Sequence, residues 1–165
     1  MMTPVERMLA LKSSDLLADA DDDVLAEILD HVTDREVSEG EVLFAEGGTP
    51  DRLLLVLSGH LELSRTGGDE RSVGPGDLAG ELAVLDGTPY TATATVRQAG
   101  TVFEFPAPVV ERLLAAEPTF SRQLLRRLAR RARLAETGHG GVDHTMASIL
   151  DRLPWSDHAP VSVEL

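Results

Sequence analysis

The spacing of hydrophobic residues changes along the chain and separates a helical beginning from a glycine-rich middle. In residues 1–30 the apolar positions recur three and four residues apart, which is the spacing of one face of a helix. Polar clusters at residues 13–15 and 21–23 are candidate N-caps. The pattern therefore predicts two or three short helices, whose apolar residues are Val5, Met8, Leu9, Leu16, Leu17, Val24, Leu25, Ile28 and Leu29.

The middle of the chain, from about residue 35 to residue 105, has a different pattern. Eleven of the 14 glycines lie between Gly40 and Gly100, and they separate short apolar or alternating runs. These runs occupy residues 42–44, 53–57, 61–64, 91–96 and 103–105, and Gly67-Gly68 is a candidate hairpin turn. Many short strands at regular spacing predict an antiparallel sandwich or barrel.

Helical spacing returns after Pro106 and Pro108. Residues 109–116 predict one helix, and Pro118 opens a longer one that runs to about Thr137. The longer helix has an apolar stripe of Phe120, Leu124, Leu125, Leu128 and Leu134, and arginines occupy its other faces. These arginines are either solvated or bind an acidic partner, such as the acidic N-terminal end of another copy.

Residues 138–165 are predicted to form a linker, a short amphipathic helix and a tail. Glycines at positions 138, 140 and 141 are typical of a flexible linker, and residues 145–153 have an apolar helical face. This helix has three possible positions: back on the β region, over a pocket, or on a partner. The sequence does not choose among them, nor does it give a role to Trp155.

Composition narrows the class of protein. The chain has 165 residues, a net charge of −13 and no cysteine, which excludes disulfides and cysteine-based metal sites. Residues 1–40 carry eleven acidic and three basic side chains, whereas residues 108–137 carry three acidic and seven basic ones. Such an acidic chain is a poor general binder of nucleic acid. We expect one cytoplasmic domain with a small appendage, because no signal peptide or membrane-length apolar run is present.

The strongest indication of function is the 13-residue segment 80–92, GELAVLDGTPYTA, which we call the cassette. Gly80 permits close backbone approach to a ligand, and the turn after it directs backbone N–H groups toward an anion. Glu81 is suited to accept a hydrogen bond from a neutral hydroxyl. A carboxylate that only caps the short helix is the alternative role for Glu81.

The cassette resembles the phosphate-binding cassette of the cyclic nucleotide-binding domain family. The Gly59-centred hairpin LVLSGHLEL and the segment Gly74-Pro75-Gly76-Asp77 support the resemblance, which covers about residues 10–137. It implies a mainly β fold with flanking α: a jelly-roll-like β-barrel (35–107) with N-terminal helices (1–34) and C-terminal helices (108–137), followed by residues 138–165. It also implies that Glu81 accepts a bond from the ribose 2′-hydroxyl. The implied ligand-binding residues are Gly80, Glu81, Leu82, Ala83, Tyr90 and Thr91.

The cassette departs from the family at the position where an arginine meets the cyclic phosphate. Tyr90, the single tyrosine of the chain, stands there. Loss of this charged contact predicts binding weaker by about 2–4 kcal/mol, or roughly 30- to 1,000-fold. Three hypotheses are open: the pocket has lost cyclic nucleotides and Tyr90 fills part of it; Arg71 or Arg97 supplies the charge; or the ligand is less charged or apolar. Tyr90 as a surface loop residue is the further alternative.

The remaining motifs favour a regulatory module without catalysis. Nucleophile elbows, Walker loops, dinucleotide fingerprints and zinc motifs are absent from the sequence, and a lone candidate carboxylate, Glu81, does not make a catalyst. Residues 138–165 are too few and too acidic for a DNA-reading module. His139 and His144 on a glycine-rich linker are weak evidence for a metal, so we expect none. We expect no cofactor apart from a possible cAMP or cGMP ligand, no membrane contact, and a protein partner or homodimer; a cAMP or cGMP sensor is the alternative function.

Overall fold

The computed structural model describes the backbone of residues 2–68 and 70–135, and side chains as far as residue 130. Five helices and eight strands lie in this part of the chain. The helices are α1 (Pro4–Ser13), α2 (Asp22–Leu29), α3 (Glu81–Asp86), α4 (Ala107–Ala116) and α5 (Pro118–Ala135). The strands are β1 (Thr33–Val37), β2 (Val42–Phe44), β3 (Arg52–Val56), β4 (His60–Ser64), β5 (Glu70–Val73), β6 (Leu78–Ala79), β7 (Thr93–Gln98) and β8 (Gly100–Pro106).

The predicted fold class, antiparallel β structure with flanking helices, is confirmed. The described strands form two four-stranded sheets, ordered β1-β8-β3-β6 and β2-β7-β4-β5. Every strand pair is antiparallel. Within the described residues the two sheets remain separate and do not close into one barrel, so the architecture is a jelly-roll-like sandwich.

The molecule has three layers, and the middle layer is the sheet that contains β3. Successive strand residues face opposite sides of a sheet. Leu53 and Leu55 accordingly pack into a core with the helices, whereas Leu54 and Val56 pack into a second core between the two sheets. Burial on both faces explains why this strand is an uninterrupted apolar run rather than an alternating one.

The N-terminal helices have caps that differ in part from those predicted. Thr3 and Glu6 form a capping box at the start of α1, and Asp21 caps α2 as expected. The predicted cap at residues 13–15 is wrong, because Ser13 ends α1 and Ser14 is its C-cap. The chain leaves the helix there because Ser14 has extended backbone geometry, and turns connect it to α2.

Two buried carboxylates hold the helices against the rest of the fold. Asp34 on β1 accepts hydrogen bonds from the Met2 N–H at 3.0 Å and from Arg7 at 2.8 Å. Glu117, the C-cap of α4, accepts a hydrogen bond at 3.1 Å from the N–H of Asp21, 96 residues earlier. The start of α2 is thereby fixed beside the junction of α4 and α5.

Candidate functional site

The six residues predicted from the cassette are brought together around one pocket. The cassette leaves sheet strand β6, turns at Gly80, and continues into the short helix α3. Gly80 has φ +83°, a left-handed conformation that favours glycine. Gly80, Glu81, Leu82, Ala83, Tyr90 and Thr91 all line the pocket, together with Phe44, Leu63, Arg71 and Ala92. Their role in ligand binding stays a prediction.

Glu81 is the first residue of α3 and lies at the pocket rather than at the surface. Only 4% of its surface is exposed. The N-cap position belongs to Gly80, which makes no side-chain capping bond. The backbone N–H groups of Leu82 and Ala83 belong to the same first turn, where helical N–H groups point away from the helix. Glu81 and the residues of this first turn therefore line the same small pocket.

Tyr90 is a core residue, and the alternative of a surface loop residue is wrong. Its exposed fraction is 4%, and its ring stacks on Phe44 with centroids 4.0 Å apart and planes 12° apart. Its backbone is fixed as well: the Tyr90 N–H donates to the Gly48 carbonyl at 3.0 Å, and the Tyr90 carbonyl accepts from Gly47 at 2.8 Å. Contacts from Phe44, Gly47 and Gly48 therefore fix both the ring and the backbone of Tyr90.

The hydroxyl of Tyr90 completes the hydrogen bonding of β3. It donates to the Arg52 carbonyl at 2.7 Å and accepts from the Arg52 N–H at 3.1 Å, with Asp51 Oδ1 3.2 Å away. Strand β6 ends at Ala79, opposite Leu54, so it stops before it reaches Arg52. The Tyr90 hydroxyl thus bonds the backbone groups of Arg52, which β6 is too short to reach. Burial raises the pKa of Tyr90, so its hydroxyl stays protonated and available as a donor.

The volume left beside Tyr90 is small. The pocket is a cavity of about 30 Å³, whereas pockets that hold small organic ligands measure roughly 300–1,000 Å³. A Cβ atom placed on Gly80 would lie 3.1 Å from the Tyr90 ring and 3.3 Å from the Phe44 ring. The two aromatic rings therefore pack directly against the turn where a ligand would approach the backbone.

Arg71 and Arg97 were the two candidates to replace the phosphate-binding arginine that the resemblance predicts, and they lie at different places in the structure. Arg71 on β5 lines the pocket, and its Nη2 atom is buried. Arg97 on β7 instead bonds Glu62 on the exposed surface, and this contact raises the pKa of Arg97. Among these two, Arg71 is the cation that lies at the cassette.

A larger groove lies elsewhere, between α2 and the end of β8. Its volume is about 370 Å³. The residues that line it include Ile28, Pro106, Pro108 and Val109, with an ion pair between Glu27 and Arg112 beside them. The cassette contributes nothing to this groove. The side chains of Glu27 and Arg112 are both more than half exposed, which is typical of a surface depression rather than of an enclosed ligand-binding site.

The remaining expectations concern a metal and the membrane. In residues 2–68 and 70–135 the acidic and histidine side chains form no group of three or more suited to a metal ion. His139, His144, Trp155 and the predicted helix 145–153 lie outside the described residues. Over the described part of the chain, every helix is too short or too polar to span a bilayer.

Sequence reasoning misses the two residues that hold Tyr90. The hydrophobic pattern assigns Phe44 to a strand and does not single out Arg52. Neither position carries a local signal for the contact, because Phe44 and Arg52 lie 46 and 38 residues from Tyr90 in the chain. The available clue is the single tyrosine of the chain, at the position where the resemblance predicts an arginine.

Comparisons with known proteins find relatives that share this fold. A family model described as "Cyclic nucleotide-binding domain" matches residues 34–117. A "CRP-like cAMP-activated global transcriptional regulator" of Mycobacterium tuberculosis is 36% identical over 99 residues, which are 57% of this chain and 44% of that protein. The chain thus matches less than half the length of this relative.

Two solved structures share the fold. The N-terminal domain of a transcriptional regulator from Streptomyces coelicolor A3(2) is 33% identical with a TM-score of 0.57, and the match covers 78% of this chain and 93% of that one. The structure described as cAMP-bound PfPKA-R (141–441) has a TM-score of 0.72 at 21% identity, covering 87% of this chain and 49% of that one. The second likeness concerns the fold alone.

Proposed function

The chain belongs to the cyclic nucleotide-binding domain family, and we propose that it is a regulatory module whose nucleotide pocket is filled from within by Tyr90. In this proposal the domain has weakened or lost cyclic nucleotide binding and acts through a protein partner or through self-association. The mycobacterial relative is a transcriptional regulator, and the Streptomyces structure is a domain of one. Their regulatory role supports this class of function.

One observation carries the proposal: Tyr90 lines the pocket while both its ring and its hydroxyl are bonded to other parts of the fold. The ring stacks on Phe44, and the hydroxyl bonds the Arg52 backbone. A ligand of nucleotide size must displace this side chain to enter a cavity of about 30 Å³. Displacement would break the stack and leave two buried backbone groups without partners, which costs about 1–3 kcal/mol for the polar groups alone.

Charge adds to the steric argument. A cyclic phosphate brings one negative charge into a pocket that already contains the Glu81 carboxylate. A tyrosine hydroxyl offers one hydrogen bond and no countercharge, so Arg71 is the one cation among the described lining residues for two anions. An anion left without its own countercharge in a partly closed site costs several kcal/mol. Sterics and electrostatics therefore oppose nucleotide binding together.

Isothermal titration calorimetry with cAMP and with cGMP tests the proposal. We expect no binding tighter than about 100 µM, which corresponds to about −5.5 kcal/mol. Binding below micromolar Kd would contradict it and would require Tyr90 to move. A parallel NMR titration that follows the backbone amides of residues 80–92 separates binding at the cassette from binding elsewhere.

The second candidate is a functional cAMP or cGMP sensor in which Arg71 replaces the family's arginine. Its support is that Arg71 lines the pocket together with Glu81. In that case Arg71→Gln abolishes binding that the unaltered chain displays, whereas Arg97→Gln on the exposed surface leaves it unchanged. Equal binding by the two variants would contradict the sensor with Arg71 as its cation.

We also propose that the module is not an enzyme. Among the described residues, the pocket presents one carboxylate, one guanidinium and one raised-pKa phenol. General acid–base catalysis commonly pairs a carboxylate with a histidine or a second carboxylate, and the described lining residues offer neither partner to Glu81. Chromatographic analysis of cAMP and cGMP incubated with the protein should show no hydrolysis, and Glu81→Gln should behave as the unaltered chain does.

A further inference from the structure

The exposed face of α5 carries a row of three arginines. Arg122, Arg126 and Arg130 succeed one another at four-residue spacing, so neighbours lie about 6 Å apart along the helix axis and the row is about 12 Å long. All three side chains are exposed, and none forms an ion pair with the other side chains that the structure describes. We call these three residues the basic row.

The apolar side of α5 is already used within the fold. Phe120 is 1% exposed and Leu124 and Leu128 are 2% exposed, and all three pack in the core that the helices share with β3. The described part of this helix therefore offers a partner positive charge rather than an apolar face. Insertion of a helix into a bilayer needs an apolar face that is free, so a membrane is a poor match for it.

The basic row is unpaired although the chain has an excess of acidic groups, 28 against 15 basic ones. Ion pairing is common among the other described arginines, as shown by Arg7, Arg35, Arg52, Arg97 and Arg112. The sequence of α5 contains no acidic residue, so no carboxylate of the helix itself offsets the repulsion between like charges one turn apart. Carboxylates supplied by a partner would remove this repulsion.

We propose that the basic row is the docking site for an acidic helix of a different protein, whose carboxylates follow one another at the same four-residue spacing. A guanidinium group binds a carboxylate through two parallel hydrogen bonds, and a row made entirely of arginines suits this geometry. Residues four apart are about 6 Å apart along the axis of any α-helix, so two helices side by side bring each arginine to one carboxylate. This inference rests on the proposed function, because it names the chemistry of the protein partner proposed there.

The charge of the whole chain favours a short acidic segment over an extended polyanion. Nucleic acids and anionic membranes carry continuous negative charge, which repels the rest of a molecule whose net charge is −13. At physiological ionic strength the Debye length is about 8 Å, so a helix that contacts only the basic row is screened from acidic groups farther away. A local cluster of carboxylates therefore fits this surface best.

Fluorescence anisotropy of a labelled synthetic peptide, titrated with the complete chain, tests the proposal. The peptide has about sixteen residues, with glutamates four apart in an alanine and glutamine background that favours a helix. We expect a dissociation constant below about 100 µM at about 0.05 M NaCl, which rises roughly tenfold or more at about 0.5 M. Absence of binding at the lower salt concentration, or binding that is insensitive to salt, overturns the proposal.

A second peptide of the same composition is the control for spacing. Its glutamates are five residues apart, which distributes them around the helix instead of along one face. We expect it to bind at least about fivefold more weakly than the first peptide, because its carboxylates reach the row one at a time. Equal binding of the two peptides would overturn the proposed match of spacing.

Neutralisation of arginines identifies the surface. Arg122→Gln with Arg126→Gln removes two charges from the basic row and keeps good helix formers at both positions, so we expect the first peptide to bind roughly tenfold or more weakly. The matched control, Arg65→Gln with Arg97→Gln, removes two charges from exposed arginines that lie outside α5. It should change the dissociation constant by less than about twofold, because the net charge alone does not make the contact. Equal losses in the two variants overturn the assignment to α5.

An NMR titration of the unaltered chain with the first peptide locates the contact without any variant. We expect the amide shifts to change most in residues 118–130, and changes centred elsewhere overturn the proposal. Short duplex DNA and phosphatidylserine vesicles are tested at the same salt concentration. Binding of either one more tightly than the peptide overturns the choice of an acidic protein segment as the partner.

Calorimetry with cAMP on the same samples scores the proposed function separately. Peptide binding together with sub-micromolar cAMP binding would contradict the lost nucleotide site and leave the docking surface in place. Absence of both kinds of binding would overturn the docking surface and leave the lost nucleotide site in place. The two proposals can therefore fail independently.

Discussion

Tyr90 and Phe44 stack with their ring centroids 4.0 Å apart and their planes 12° apart. Phe44 ends β2 in one sheet, whereas the Tyr90 hydroxyl bonds Arg52 at the start of β3 in the other. One side chain of the cassette therefore joins the two sheets beside the pocket that the cassette lines. This relationship makes Tyr90 a structural residue whose ring and hydroxyl can be tested separately.

Removal of the hydroxyl alone should destabilise the fold. Tyr90→Phe keeps the aromatic stack but leaves the Arg52 N–H and carbonyl without their partner, so we expect the free energy of unfolding to fall by about 1–3 kcal/mol. Urea denaturation measures this change. Tyr90→Ala is the graded comparison, and it should cost about 3–5 kcal/mol because it also creates a cavity. Unchanged stability of Tyr90→Phe would show that the hydroxyl does not hold β3.

Replacement of Tyr90 by the arginine that the resemblance predicts should raise the affinity for cAMP and lower the stability of the fold. We expect Tyr90→Arg to bind cAMP one to three orders of magnitude more tightly than the unaltered chain, through a gain of about 2–4 kcal/mol from a charge-assisted contact. The variant should also unfold more readily, because the stack on Phe44 is lost. Calorimetry and thermal melting measure the two effects.

The control for Tyr90→Arg is Tyr90→Gln, which opens the pocket without adding a charge. A gain shared equally by the two variants would mean that space, not charge, limits binding. No gain in either would mean that the pocket closes when the tyrosine is removed.

Close packing at Gly80 should be measurable by a comparison of two glycines. Gly80 and Gly40 have similar φ values of +83° and +90°, but a Cβ on Gly40 meets no atom within 4 Å. Gly40→Ala should therefore cost about 1–2 kcal/mol for backbone conformation alone. Gly80→Ala should cost about 1–3 kcal/mol more, because its Cβ crowds Tyr90 and Phe44. Equal losses in urea denaturation would argue against tight packing at the turn.

Stability should depend on acid through Asp34. Burial alone raises the pKa of Asp34, but hydrogen bonds from the Met2 N–H and Arg7 outweigh it and hold the pKa below its ordinary value. A carboxyl with a lowered folded-state pKa stabilises the fold above its unfolded pKa of about 3.9, and the contribution is lost as the pH falls through the folded value.

Asp34→Asn is the variant that isolates this effect. It should lower the free energy of unfolding by about 1–3 kcal/mol near pH 6. The gap to the unaltered chain should narrow as the pH falls below about 4, because the unfolded chain takes up the proton there and the folded chain takes it up at its lower pKa. Chemical denaturation across this range measures the gap, and a gap that widened as the pH fell would reverse the assigned sign. Exposed Asp30→Asn should show little difference at any pH.

Some strands were predictable because their burial pattern is written in the local sequence. The runs that became β2, β3, β4, β7 and β8 are apolar or alternate regularly. Strand β1 was missed because its sequence TDREV has one aliphatic residue. Its buried Asp34 accepts hydrogen bonds from Met2 and Arg7, which lie 32 and 27 residues earlier in the chain. The missed β6 is two residues long and exists through its pairing with β3.

The sequence by itself determined the fold class, the helical ends and the cassette, since these depend on hydrophobic spacing, glycine positions and a contiguous motif. It also predicted Tyr90 as the residue at which the cassette departs from its family. The tertiary structure alone decided which groups Tyr90 contacts, that Arg71 rather than Arg97 lies at the pocket, and that the start of α2 lies beside the junction of α4 and α5. These relationships join residues tens of positions apart, and a local pattern carries no information about which distant groups satisfy a buried ring, a hydroxyl or a charge.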